Sequence, residues 1–480
     1  MTERAFSKRD AIPAANAHTL SRANDLLGAS LAATPQVEIL PVTSLRPPER
    51  RIRVHDATQR RQMKASLEKF GQVIPVLIDG AGTIIDGLLV YETVMELGYS
   101  TIQAIRTSHL SPGATRALRL SLNKLAESGD WNPDELRLEL NDLIILDSVP
   151  DFTLPGFETA ELDRLFMDET KDRQVDEDDV IPRRDAKQST VSRPGDLWAM
   201  GDHRLLCADA LEESSYETLL RGTKAAMIIT DPPYNVPIQG HVSGLGRARH
   251  KEFAMASGEM SSTDFTHFLS RALTQTREHA APGALLHVFM DWRHMPEILT
   301  ASKAADLAHI NLCVWVKDNG GMGSLYRSQH ELVFILKKQG APHQNNVNLG
   351  KHGRYRTNVW RYRGLSSMHD GRDEALAVHP TVKPVAMIAD AICDSTRHGD
   401  TVLDPFAGSG TIFLAAERTG RKGLGIEIDP DYCDTILDRW ERSTGREAIH
   451  TDTGLTRKSL AKQRPKARER RRIQSARGEG

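Results

Sequence analysis

From residue 37 the chain alternates short apolar runs with amphipathic stretches. Residues 37–42 (VEILPV) read as a strand, and residues 59–70 (QRRQMKASLEKF) space their apolar positions along one helical face before Gly71 stops the run. Short strands follow at 76–79 and 84–86, then a helix over 89–97 that ends at Gly98. Two further helices are predicted around 114–128 and 133–147, the second with Asn132 as its N-cap. Residues 168–193 turn charged and irregular and read as a linker. Beyond Gly195 apolar strands recur at 226–230, 285–290, 311–316, 332–337, 401–404 and 423–428, with helical runs between several of them. That alternation predicts the α/β class: a doubly wound, mainly parallel Rossmann-like sheet preceded by a smaller α/β domain. The expected divisions are a flexible N-terminus (1–35), the small domain with its helical extension (36–150), a tether and charged linker (151–194), the large domain (195–450) and a tail (451–480). No internal repeat is visible.

Composition narrows this picture. The 480 residues leave room for two or three domains of about 100–200 residues each, and an apolar share of 39% supports a sizeable core. The net charge of −2 hides an uneven distribution. Residues 456–480 are dense in Lys and Arg, including Arg470, Arg471 and Arg472, whereas 175–180 is acidic. A basic tail suggests a polyanionic partner or simply a solvated end, and both stay open. Cys207, Cys313, Cys393 and Cys433 lie far apart without a Cys-x-x-Cys pair, which argues against a disulfide framework and a zinc site. No metal is therefore expected. The N-terminus lacks the apolar segment of a signal peptide, and no stretch approaches the roughly 20 apolar residues of a membrane span. The expectation is a cytoplasmic protein with no membrane partner.

Candidate chemistry gathers at two places. The first is Thr401-Val402-Leu403-Asp404-Pro405-Phe406-Ala407-Gly408-Ser409-Gly410-Thr411, an apolar strand entering a small-residue loop and then a helix. Gly408 and Gly410 permit a tight turn and a close backbone approach to a ligand. Glu427, at the end of the next strand, stands about 20 residues beyond them, the spacing of a ribose-binding carboxylate. The loop has neither G-x-G-x-x-G nor Gly-Lys-Ser/Thr, so no polyphosphate cradle is visible. Asp404 would suit a cationic group instead, such as the amino acid moiety of S-adenosylmethionine. Alone, the loop could be an ordinary Gly-rich turn.

The second place is Asp231-Pro232-Pro233-Tyr234, delivered by the apolar strand at 226–230. Prolines stiffen the loop and remove backbone donors, so the Pro232 carbonyl can face a ligand. An exocyclic amine is a poor nucleophile because its lone pair is delocalised into the ring. Two acceptors, the Asp231 carboxylate and the Pro232 carbonyl, can hold both amino hydrogens and aim that lone pair. Tyr234 offers an aromatic face for a base drawn out of a helix. Alone, the tetrapeptide could be a Pro-Pro turn with an N-cap aspartate.

Together the two segments resemble the amino-methyltransferases of DNA, in the permuted β-class order with the catalytic segment first. His379-Pro380-Thr381-Val382-Lys383-Pro384 is similar to that family's motif near the methionine end of the cofactor, and the resemblance covers about residues 195–444. It implies S-adenosyl-L-methionine as cofactor, with His379, Thr381 and Lys383 among its binding residues beside Asp404, Pro405, Phe406, Ala407, Gly408, Ser409, Gly410, Thr411 and Glu427. It also assigns Asp209, in Gly201-Asp202-His203-Arg204-Leu205-Leu206-Cys207-Ala208-Asp209, to the cofactor's adenine, and it extends to Val314-Trp315-Val316-Lys317 and Gln329-His330-Glu331. Asp at the first catalytic position resembles N6-adenine enzymes more than N4-cytosine ones. Cytosine C5 chemistry, whose cysteine nucleophile commonly follows a proline, is disfavoured, because none of the four cysteines does so.

Residues 37–110 resemble the ParB-like N-terminal domain through Gly71-Gln72-Val73-Ile74-Pro75-Val76, Ile84-Ile85-Asp86-Gly87 and Glu96-Leu97-Gly98. Nucleotide-binding members carry Arg or His just after that glycine. Here Leu88-Leu89-Val90-Tyr91 follows, with no cation for a phosphate, so the expectation is contact with DNA or protein, or a scaffold without ligand. Two insertions are expected to reach DNA. One carries Arg247, Arg249, His250 and Lys251; the other, over 337–372, carries Lys351, Arg354, Arg356, Arg361 and Arg363 among Tyr355, Trp360 and Tyr362. Solvated loops with core aromatics are the plainer alternative. The expected partner is double-stranded DNA, with a homodimer left open. The leading reading is a site-specific N6-adenine DNA methyltransferase, of a restriction-modification system or standing alone. The alternatives are an N4-cytosine or RNA amino-methyltransferase, and a ParB-like DNA-binding regulator with an inactive methyltransferase domain.

Overall fold

The computed structural model describes residues 36–125, 131–132, 135–140, 143, 154–166, 177–181, 189–236, 258–318, 320, 325–347, 356–364 and 382–464. They fall into two compact units, the first ending at Asn132 and including Leu154–Gly156, the second holding the rest.

The first unit is a four-stranded sheet in the order β1 (Val37–Pro41), β4 (Thr101–Thr107), β2 (Val76–Asp79), β3 (Ile84–Asp86). Strand β4 went unread in the sequence, although its alternation buries Ile102 and Ala104 on one face. Helices Ala57–Phe70, Leu88–Glu96 and Pro112–Leu125 complete the unit. Asp56 caps the first of them by accepting from the Gln59 amide, and Gly71 ends it at φ 70°. The motif residues have structural work. The Gln72 side chain donates to the Gln103 carbonyl at 2.8 Å and accepts from the Gln103 amide at 2.7 Å, stitching the loop to β4. Gly87 sits at φ 86° in contact with Val76, where a β-carbon would lie 2.9 Å from a Val76 methyl.

The second unit is a ten-stranded sheet: β11 (Val359–Arg361), β9 (Leu307–Val316), β10 (His330–Lys338), β8 (Ala280–Met290), β7 (Ala225–Thr230), β12 (Thr401–Asp404), β13 (Lys422–Glu427), β6 (His203–Cys207), β5 (Leu197–Met200) and β14 (Ile449–His450). The central strands β8, β7, β12, β13 and β6 run parallel to one another, and β10 and β5 flank them antiparallel. Helices cover both faces. Met227 and Ile229 pack into one core with helices Val385–Ser395, Thr411–Arg418 and Pro430–Thr444, while Ile228 packs into the other with Glu213–Leu220 and Ser262–His279. Burial on both sides explains why β7 reads as a continuous apolar run. The six expected strands are present, four of them with longer ends, and β5, β6, β11 and β14 are additions.

Two expectations are corrected. The stretch read as a charged linker contains packed structure: the 3-10 turn Glu177–Asp179 holds Asp179, whose carboxylate accepts from the Val385 amide at 2.8 Å. Arg418 reaches the Asp178 carboxylate, and Arg439 donates to the Asp178 carbonyl. Asp178 is thus paired with a cation of the large domain, and Asp179 caps one of its helices. Likewise, the basic tail starts later than composition implies. Helix Arg457–Gln463 is docked, with Arg457 paired to Asp438 and Glu441, and Arg464 bound to Asp196. The lead up to residue 35 and the stretch 465–480 lie outside the described residues; of the helix expected at 133–147, residues 135–140 and 143 are described and helical. Among the described residues, no helix is long and apolar enough to cross a membrane.

Candidate active site

Neighbouring parallel strands place their C-terminal ends along one sheet edge, and the order β7, β12, β13, β6 puts four carboxylates there. Asp231 follows β7, Asp404 closes β12, Glu427 closes β13, and Asp209 follows β6 two residues on. Connections leave β7 and β12 in opposite directions, toward β8 and β13, so the crevice opens at the switch point of the sheet. Residues 231–234 and the loop from Asp404 line the same pocket, together with Asp209, Lys383, Glu427, Asp429 and Tyr432. Its remaining wall is largely apolar, with Ile229, Phe289, Ile388, Ile412, Ile426 and Ile428. Among the described lining residues, Lys383 is the only Lys or Arg facing five carboxylates.

The Asp404 carboxylate accepts from the Thr230 hydroxyl at 2.8 Å and from the Phe406 amide at 3.0 Å. Burial pushes its pKa up to about 7, against those hydrogen bonds. Glu427 accepts from the Gly408 amide at 2.8 Å and the Asp429 amide at 2.9 Å, and burial raises it to about 7 as well. Of the two loop glycines, Gly408 (φ 53°) lines the pocket. Gly410 (φ 79°) is required by packing, because a β-carbon there would stand 2.8 Å from Ile436. Ser409 and Thr411 are engaged by Arg439, and the Thr411 hydroxyl donates to the Lys383 carbonyl at 3.2 Å. Pro405, Phe406 and Ala407 line the pocket, and Asp209 caps its own turn by accepting from the Leu211 amide at 2.8 Å.

Around Asp231 the structure adds contacts that the sequence did not indicate. Lys383, expected at the cofactor, places Nζ 2.6 Å from Asp231 Oδ2 and 3.1 Å from Glu331 Oε2. Aromatic rings of Phe289, Trp315 and Tyr234 surround the ammonium at 5.0, 5.8 and 5.9 Å from their centroids. The Tyr234 hydroxyl donates to Asp231 Oδ1 and stands 3.3 Å from Glu331 Oε2. Lys317 pairs with the other oxygen of Glu331. Burial raises the Asp231 carboxyl, and Glu331 adds to that, while Lys383 opposes it. Burial would raise Glu331 too, but its two lysines outweigh it and hold the group at about 2. Asn235, unremarked in the sequence, takes the left-handed conformation (φ 54°) and ties the loop to the Gly258 and Met260 backbone with its side-chain amide.

The DNA-contact residues divide. Arg361 and Arg363 are exposed, with Arg363 3.6 Å from Asp318. Arg356 is corrected: its guanidinium is held by Asp390 at 3.0 Å and Asp394 at 2.9 Å and by the Tyr362 hydroxyl, so it anchors the fold. Trp360 is buried in the core, and the Tyr362 hydroxyl donates to Asp390, so neither is a wedge. Arg247, Arg249, His250, Lys251, Lys351, Arg354, Tyr355, His379 and Thr381 lie outside the described residues. In the first unit, a separate cavity of about 430 Å³ at Gly87 is lined by Arg50, Arg51, Arg53 and Arg119. Arginines from other segments therefore border the same cavity as this glycine, which the apolar run after it concealed.

A doubly wound sheet with an acidic, partly apolar crevice at its switch point defines the class of α/β folds that bind a ligand at that edge. A model of the family described as DNA methylase (N6_N4_Mtase) matches residues 225–438. That segment is similar to the N6/N4 DNA methylases. The type II methyltransferase M.HpaI of Haemophilus parainfluenzae is 25% identical over 260 residues, covering 50% of this chain and 74% of its own. The M1.HpyAVI–SAM complex is 23% identical with TM-score 0.37, covering 49% of this chain and 97% of that one. The partitioning protein ParB of Caulobacter crescentus, complexed with CTP-gamma-S, is 19% identical with TM-score 0.21, covering 23% of this chain and 63% of that one.

Proposed function

We propose that the chain methylates N6 of adenine in duplex DNA, with the target base drawn out of the helix and S-adenosyl-L-methionine as donor. The observation that carries this is the shared crevice: Asp231-Pro232-Pro233-Tyr234 and the loop from Asp404 line one pocket. The lining suits this cofactor. Apolar walls and Tyr432 fit an adenine, Glu427 and Asp429 fit ribose hydroxyls, and half-buried Asp404 fits a cationic amino acid moiety. The near absence of Lys and Arg from the wall disfavours a polyphosphate. When bound, the cofactor supplies an electrophilic methyl group on a sulfonium. The chain supplies orientation: Asp231 and the Pro232 carbonyl hold the amine, and Tyr234 steers Asp231 through its hydroxyl while offering its ring to the base. With the cofactor bound, the amine nitrogen would take the methyl group, the electron pair of the broken bond would stay on sulfur, and the proton shed by the nitrogen would pass to Asp231.

Arg361 and Arg363 are the described candidates for phosphate contacts, and the first unit is proposed to contact DNA or a protein partner. The relative's name suggests a modification enzyme of a type II system. The test uses labelled cofactor, duplex DNA and nucleoside analysis. Label in N6-methyladenine that disappears with Asp231→Ala, by roughly 100-fold or more in rate, supports the proposal, provided the variant still binds cofactor. Label in N4-methylcytosine or RNA moves it to the neighbouring amine substrates. No label in any nucleic acid, with DNA binding intact, leaves the inactive regulator.

A further inference from the structure

We propose that Glu331 is a positioning residue for Asp231, acting by sharing the buried ammonium of Lys383 with it. This rests on the amine-methylation reading above and adds a second carboxylate to it. The geometry is a four-membered cluster drawn from separate segments: Asp231 and Tyr234 after β7, Glu331 on β10, and Lys383 just before helix Val385–Ser395. Lys383, Glu331 and Asp231 are 8%, 13% and 21% exposed, so little water enters their balance. Lys383 lies between the two carboxylates, and the Tyr234 hydroxyl touches both.

The chemistry asks two things of Asp231. It must accept a hydrogen bond from the substrate amine, and after the nitrogen–carbon bond forms it must take the proton the nitrogen sheds before passing it to water. An ammonium paired with Asp231 alone would saturate that carboxylate and depress its affinity for a proton. Dividing Lys383 between two anions relieves this. Glu331 draws part of the positive charge away, is itself held in place by Lys317, and its own negative charge favours protonation of Asp231. The other charged or titratable groups facing the cluster are Asp404, beside Asp231, and Asp291, toward Tyr234. Neither touches Lys383 in a described ion pair, so Glu331 is the group that can partition its charge.

The test is Glu331→Gln in the full chain, with methyl transfer to duplex DNA measured across pH and cofactor affinity measured by calorimetry. Cofactor affinity should stay within about twofold, because Glu331 is outside the cofactor pocket wall. The maximal rate should fall by roughly 10- to 100-fold, and the acid limb of the profile should move to lower pH, since Lys383 then pairs with Asp231 alone. Glu331→Asp should return the limb part of the way. A variant with an unchanged rate, or a lowered rate with an unmoved limb, overturns the proposal. A second readout needs no turnover: Lys383 acylation by acetic anhydride, followed by mass spectrometry across pH. Losing one of two carboxylate partners should lower the labelling midpoint of Lys383 by about one pH unit, and an unmoved midpoint overturns charge sharing. If the unsubstituted chain methylates nothing, the methylase reading falls, and the Lys383 midpoint still decides the cluster.

Discussion

Asp404 and Glu427 line the proposed cofactor pocket, and burial pushes each carboxyl up to about 7. The folded, ligand-free protein thus binds those protons more tightly than an unfolded chain does. Their contribution to stability is complete below the unfolded pKa values and disappears as pH rises through about 7. A cation beside Asp404 needs the ionised form, so ligand binding should expel protons and weaken as pH falls below about 7. Calorimetry of S-adenosyl-L-methionine binding in buffers of different ionisation enthalpy measures that proton release. Asp404→Asn should lose most of it, and equal heats in every buffer would refute the assignment.

Segments read as connectors act as clasps on the large domain. Helix Thr159–Phe166 inserts Asp163 against Arg421 at 2.7 and 3.0 Å, with the two side chains 2% and 0% exposed. Removing one partner strands the other charge in the core. Asp163→Ala should therefore cost about 3–5 kcal/mol and lower the unfolding midpoint in urea, whereas an exposed substitution such as Glu447→Ala should not. Asp179 is a subtler clasp, capping the helix that begins two residues after Lys383. Asp179→Ala should cost about 1 kcal/mol in thermal unfolding. It should also loosen Lys383, so its rate loss should exceed what the small stability change explains.

Across the whole molecule, the cations that composition groups together separate by partner. Arg356, Arg457 and Arg464 serve the fold, while Arg361 and Arg363 face solvent. Arg361→Ala and Arg363→Ala should weaken DNA binding nearly equally for all sequences and flatten the log–log salt dependence by about one each. Fluorescence anisotropy at several salt concentrations reads this. Arg356→Ala should lower stability instead, leaving the salt slope of the folded fraction unchanged.

The sequence by itself carried the α/β class, most strands of the large sheet, the Asp231 tetrapeptide and the Asp404 loop. These are local properties, set by apolar periodicity, glycine and proline positions, and strand-end chemistry. Their meeting in one crevice follows from strand order, which brings β7 beside β12 although 174 residues separate Thr230 from Asp404. Short strands such as β4 and β11 escaped because three to seven residues of mixed polarity carry little periodic signal. Only the tertiary structure decided which charges are partners. Lys383 lies 152 residues from Asp231 in the chain, and no spacing rule connects them. Whether a cation meets DNA, a cofactor or a buried carboxylate depends on what the fold brings within about 3 Å of it, and one-dimensional spacing does not contain that distance.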